Sequence, residues 1–175
     1  MFPVGVAAYV VLFVLVIAVA ERVVAPRALP AALIAHRVVP RHAAWTVAVA
    51  VTAVETVLAA LLLAGLVVSG PSPFVLAGAV ALFAAYGGYA WYVTASGRGG
   101  PCGCGIAEVP MGPWVAGRAF VLAALALPGA AAPGMVPPLT AFDSRLVVVL
   151  LAAATIAILL WYLPAAMAQP EEVTR

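Results

Sequence analysis

Five apolar runs, near residues 2–20, 44–68, 73–95, 113–130 and 146–168, each come close to the length a helix needs to cross about 30 Å of hydrocarbon. Inside lipid, every backbone N–H and C=O must be bonded within its own segment, so runs of this kind are predicted as transmembrane helices. Composition removes the soluble alternative. Of 175 residues, 67% are hydrophobic and 8% charged, against about 45–50% and about 25% in an ordinary soluble domain. A chain this short cannot hide so much apolar surface in one core. The expected fold class is therefore all-α, a polytopic transmembrane helix bundle forming a single membrane domain over residues 1–175 and placed in the plasma membrane. The first run ends Ala18-Val19-Ala20, which imitates a signal-peptide cleavage site. No Arg or Lys precedes it, however, and it exceeds the usual signal core of about 7–15 residues, so it is read as a retained helix.

The fourth run is the weakest, because Gly117 and Arg118 interrupt it and Pro128-Gly129 ends it early. It is expected to be tilted or buried against its neighbours. Residues 69–73, Ser-Gly-Pro-Ser-Pro, make a tight turn that sets the second and third runs antiparallel. Residues 21–43 carry Glu21, Arg22, Arg27, Arg37 and Arg41 around the apolar stretch Leu29–Val39, bracketed by Pro30 and Pro40. This stretch reads as a short helix in the headgroup layer, with a plain amphipathic loop as the alternative. Residues 131–145, with Pro133, Gly134, Pro137 and Pro138, are expected to be irregular.

All eight basic residues are Arg, and a net charge of +2 is too small to suggest a nucleic-acid partner. Five crossings put residues 21–43, residues 96–112 and the C-terminus on one side, together with Arg22, Arg27, Arg37, Arg41, Arg98 and Arg175, leaving Arg145 opposite. The positive-inside rule makes that side cytoplasmic. Trp45, Trp91, Trp114 and Trp161 fall near helix ends on the same side, as interfacial anchors would.

The densest chemical signal is the glycine-rich loop from Gly97 to Gly105, within residues 96–112, where Cys102 and Cys104 are the only thiols of the chain. A turn through Gly103 can bring them within disulfide distance, and the small ring so closed is expected to be strained and easily reduced. Arg98 and the N-terminus of the helix starting near Pro113 are both placed to stabilise a thiolate. Two inert loop cysteines are the alternative. Half of a shared metal site is a weaker one, since His36 and His42 are the only histidines, and no metal is expected.

Glu55 is the second signal. At the middle of its run an ionised carboxylate costs at least about 2.5–3.5 kcal/mol, so it must face the bundle, as a hydrogen-bonded structural group or as a proton-handling one. Measured from the arginine-rich side, Glu55 lies about 16 Å along its helix and Tyr86 about 13 Å along the next, which makes a hydrogen bond between them feasible. Arg118 is shallower but long enough to reach inward. Tyr86, Tyr89, Trp91 and Tyr92 crowd the end of the third run, where a quinone ring could stack, although aromatic packing explains them as well.

The order of these features resembles the MauE (methylamine utilisation) branch of the DoxX-like membrane proteins, over residues 5 to 127. The resemblance rests on the opening helix, the stretch Ala25-Pro26-Arg27 through Val38-Val39-Pro40, Glu55 in the next helix, and Pro101-Cys102-Gly103-Cys104-Gly105 followed by Trp114 and Arg118. The family commonly has a Phe between the second Cys and the Gly, absent here, and an Asn after the Arg, here Ala119. The resemblance implies a four-helix DoxX-like core plus a C-terminal fifth helix. It also implies an accessory role in the redox maturation of a disulfide-rich partner protein outside the cytoplasm, the methylamine dehydrogenase small subunit being the family's example. On the residues themselves, Cys102 and Cys104 are the expected catalytic pair, with Glu55, Tyr86, Arg98 and Arg118 in support. Quinone is a candidate electron acceptor. Two alternatives stand beside this reading: a non-catalytic membrane scaffold or chaperone subunit of a redox complex, and a subunit like those of DoxD type that oxidise sulfur compounds with quinone. An exported client wants its thiol partner outside, whereas the arginines place the loop inside.

Overall fold

The computed structural model describes residues 2–68, 70–103, 109–140 and 143–167. Among these, five helices are long and apolar enough to cross a membrane: α1 (Phe2–Val24), α3 (Arg41–Val68), α4 (Pro73–Ala95), α5 (Pro113–Ala131) and α6 (Ser144–Met167). A sixth, α2 (Ala28–His36), is too short to cross. The fold is thus an all-α polytopic bundle.

The arrangement follows from which helices have no polar or lipid-facing side. Every residue of α1 from Gly5 to Leu12 is buried, so the helix is apolar all round because it is surrounded, with α3, α5 and α6 packed against it. Tyr9, fully buried on this central helix, donates its hydroxyl to the Pro137 carbonyl at 2.9 Å. Residues 132–140 contain a 3₁₀ turn, Pro133–Met135, and close that end of the bundle. Pro137 lies against Gly5, and the Leu139 N–H bonds the Leu66 carbonyl.

Helices α4 and α5 make the most extensive helix pair. A Cβ at Gly87 would come within 2.7 Å of the Phe120 ring, and one at Gly129 within 2.8 Å of Leu76, so these glycines allow an approach that no larger residue would permit. Such close contact is how helices associate where no hydrophobic effect separates protein from lipid. It also accounts for part of the weakness of the fourth run: Gly129 faces α4, whereas Gly117 is exposed. Helices α3 and α4 meet less extensively, with Leu58 against Gly78.

The main departure from expectation is at residues 21–24. The first apolar run was expected to end at Ala20, with Glu21 and Arg22 in a connecting loop; α1 instead continues to Val24 and carries both charges into the bundle. The short helix expected over Leu29–Val39 is present as α2, ended by Arg37 in a left-handed conformation at φ 55°. Leu33 of α2 packs with Ala44 and Ala48 of α3.

Candidate functional site

The cysteine loop is the start of a small hairpin whose arms, 100–102 and 109–111, are joined by two backbone bonds: the Cys102 N–H to the Val109 carbonyl at 2.7 Å and the Met111 N–H to the Gly100 carbonyl at 2.8 Å. Cys102 is buried at 7% exposure, packed with Ala90 of α4 and with Val115 and Ala116 in the first turn of α5. Cys104 and Gly105 lie outside the described residues.

The other face of the hairpin lies on α2. Gly100 and Gly103 have φ of +158° and +66°, and a Cβ at Gly103 would come within 2.6 Å of the Ala32 methyl. Glycine at 103 therefore serves both the backbone and the close contact.

A buried and a half-buried side chain hold the carbonyls on either side of Cys102. His36, 1% exposed, places Nε2 3.0 Å from the Pro101 carbonyl and Nδ1 2.9 Å from the Tyr89 hydroxyl. A carbonyl only accepts, so Nε2 carries the hydrogen, and neutral His36 then accepts the Tyr89 proton at Nδ1. Burial holds the His36 pKa below its ordinary value, with the Pro101 bond opposing in part. Arg22 donates from Nη1 to the Gly103 carbonyl.

Arg22 also connects the loop to the bundle interior. Its Nε lies 3.6 Å from Glu55 Oε2, with the two side chains 11% and 2% exposed. Tyr86 donates to Glu55 Oε1 at 2.6 Å. The contact between Glu55 and Tyr86 that helix depth made feasible is therefore present. The sequence reading weighed Glu55 only as hydrogen-bonded glue or as a proton carrier; the structure adds a guanidinium counter-charge from the central helix. The result is a continuous polar chain, Tyr86–Glu55–Arg22–Gly103, from mid-bundle to the residue between the two cysteines.

Arg118 is not part of this chain. It donates to the Trp161 carbonyl at 3.2 Å and lies 5.0 Å from the centre of the Trp161 ring, whose Nε1 donates to Glu21 Oε1 at 3.1 Å. Trp161, expected as an interfacial anchor, is thus a bridge joining α1, α5 and α6, whereas Trp45, Trp91 and Trp114 are exposed. Arg98, expected beside the thiols, places its guanidinium 5.5 Å from the centre of the Tyr92 ring. The four aromatics near the end of α4 are dispersed: Tyr86 bonds Glu55, Tyr89 bonds His36, and Trp91 and Tyr92 face outward.

Sequence reasoning missed Arg22 and His36 as site residues. For Arg22 a signal existed, since it lies two turns beyond Leu15, on the same face of a helix that need not stop at Ala20. His36 had none, because its partners come from residues 53 and 65 positions away.

Comparison with curated proteins and with solved structures gives no match. The family model for methylamine utilisation protein MauE matches residues 2–132, which include α1 to α5, the hairpin and both polar chains apart from Trp161. With three-quarters of its length matched, this multi-pass membrane protein belongs to the MauE family.

Proposed function

We propose that the protein is a membrane thiol–disulfide redox protein in which Cys102 and Cys104 cycle between dithiol and disulfide, serving the maturation of a partner protein in the methylamine dehydrogenase-type role that its family implies. The observation that carries this reading is that the carbonyls flanking Cys102 are each bonded by an ionisable side chain, the buried His36 and the half-buried Arg22. A loop with inert cysteines has no need of such support. Contact of Cys102 with the first turn of α5 adds the partial positive charge of a helix N-terminus, which favours a thiolate in the reduced form.

Because Cys102 is shielded, exchange with a protein partner starts at Cys104, and Cys102 resolves the mixed disulfide. The test is co-purification under non-reducing conditions. Cys102→Ser is expected to accumulate a mixed disulfide with the partner, Cys104→Ser to form none, and both to remain inserted and to lose activity. Full complementation by the double Ser variant at normal expression would discard the redox reading in favour of the scaffold. Labelling of intact cells with a membrane-impermeant thiol reagent fixes the side: the arginine count expects labelling only after lysis, and labelling of intact cells places the loop with an exported client.

A further inference from the structure

Outside the thiol loop and the polar chains, α2, α3 and the end of α1 enclose a groove of about 490 Å³. One wall is a ridge of α3 side chains spaced one turn apart, Trp45, Val49, Ala53 and Val57, which runs about 18 Å at 1.5 Å per residue. Leu29 and Pro30 of α2 form the other. All four ridge residues are exposed on a membrane-crossing helix, so the groove opens sideways into the bilayer.

The two ends of the groove differ. Trp45, with Trp91 and Trp114, is exposed at the helix ends nearest α2 and the hairpin, where such residues mark the membrane interface. Arg41, one turn before Trp45 on the same face of α3, carries the ridge on into the headgroup layer, and Arg37 lies four residues before it at the end of α2. Both arginines are exposed, and among the described residues no carboxylate lies within ion-pair distance of either. The far end is at Arg22, level with Glu55 and about 15 Å deeper along α3. There the positive charge is balanced by Glu55 at 3.6 Å, and Nη1 is already bonded to the Gly103 carbonyl. Between the ends, Thr52 and Thr56 donate to the carbonyls of Ala48 and Thr52, which leaves the walls without a free hydroxyl donor.

The groove is thus positive and unbalanced at the interface and apolar for about 18 Å below it. A fatty acyl chain needs no hydrogen-bond partner along its length, and a phospholipid carries its phosphate at the depth of the headgroup layer, where Arg41 stands. Basic groups between membrane helices at this depth attract acidic headgroups. A zwitterionic headgroup gains less, because its own cation opposes the arginines. We propose that the groove is a binding site for an anionic glycerophospholipid, its phosphate on Arg41 and Arg37 and one acyl chain lying between α2 and α3. The end of that chain covers the opening beside Arg22, so the lipid completes the apolar surround of the Arg22–Glu55 pair. The site involves no thiol chemistry and stands apart from the redox reading.

The experiment uses the full chain in nanodiscs that mix phosphatidylcholine with phosphatidylglycerol, one lipid or the other carrying bromine near the carbonyl end of an acyl chain. The emission of Trp45 is the difference between the unaltered chain and Trp45→Phe. Brominated phosphatidylglycerol is expected to quench Trp45 about five-fold more effectively than brominated phosphatidylcholine at the same mole fraction. The preference should vanish in the double variant Arg37→Gln with Arg41→Gln and fall in Ala53→Phe, which fills the groove from its exposed side. It should persist in Ala60→Phe, outside the groove, and in Arg145→Gln, at the start of α6. Equal quenching by the two lipids in the unaltered chain would overturn the assignment, because the groove would then take any acyl chain. So would a preference that survives in the arginine variant, which places the phosphate elsewhere, or one undiminished in Ala53→Phe, which places the chain elsewhere.

Discussion

Glu21 and Arg22 are neighbours in the last turns of α1, about 100° apart around the helix, and they do different work. Glu21 accepts from Trp161, whose carbonyl and ring engage Arg118, so this cluster joins three membrane helices and, among the described residues, contains no part of the thiol loop. Arg22 pairs with Glu55 and bonds the Gly103 carbonyl, so its cluster reaches from the bundle interior to the loop. The contrast separates a fastening from a coupling. Both stabilise the helix bundle, but only the Arg22 cluster sets the position of the backbone around Cys102.

The sharpest way to break that contrast is at Arg22. Arg22→Ala leaves the Glu55 carboxylate buried without its counter-charge, and a loss of about 3–5 kcal/mol is expected in unfolding of the detergent-solubilised protein. Alkylation of reduced Cys102 should accelerate as well. The double variant Arg22→Met with Glu55→Leu replaces the pair by apolar volume and should recover most of the stability while alkylation stays fast. Return of both to wild-type values would show that Arg22 acts on the loop only through the fold.

A smaller effect is expected at the other cluster. Trp161→Phe removes the donor to Glu21 and should cost about 1–3 kcal/mol, with Cys102 alkylation unchanged. Faster alkylation in this variant would mean that the two clusters are not separate.

The smallest effect is a pH dependence. The folded-state pKa of His36 lies below the ordinary 6.5, so the unfolded chain binds the proton more readily. The His36 contribution is therefore complete above about 6.5 and is lost as pH falls through that value toward the depressed folded pKa. Amide hydrogen exchange at Cys102 and Met111, corrected for intrinsic rates, should rise over that interval and lose this dependence in His36→Gln. A dependence that persists in His36→Gln would assign it to another group, with exposed His42 the first to test.

How much of this was legible in the sequence varies with the range of the interaction. Glu55 had to face inward because a carboxylate at that depth cannot face lipid, and counting residues along two antiparallel helices was enough to bring it level with Tyr86. Arg22 was misread as one more interfacial arginine because hydropathy ends a run at its last apolar residue, whereas a helix ends where its backbone bonds end. That correction bears on orientation too, since an arginine paired with Glu55 is a weaker marker of sidedness than one in the headgroup layer. Arg118 was expected to reach inward and does, but toward Trp161 rather than Glu55, because α6 supplies the nearer partner.

The sequence by itself determined that this chain forms membrane-crossing helices, since apolar runs of that length leave the backbone no other way to satisfy its hydrogen bonds in lipid. It also determined which loop holds the thiols. It could not determine which helix lies at the centre. The most apolar stretches of α1 and α6 have the same mean hydropathy of 2.7, yet 56% of the first and 22% of the second is buried. A side chain that faces lipid and one that faces another helix are selected for the same apolar character, so hydropathy does not distinguish them; only tertiary packing placed α1 in the middle, and with it Arg22 between Glu55 and the cysteine loop.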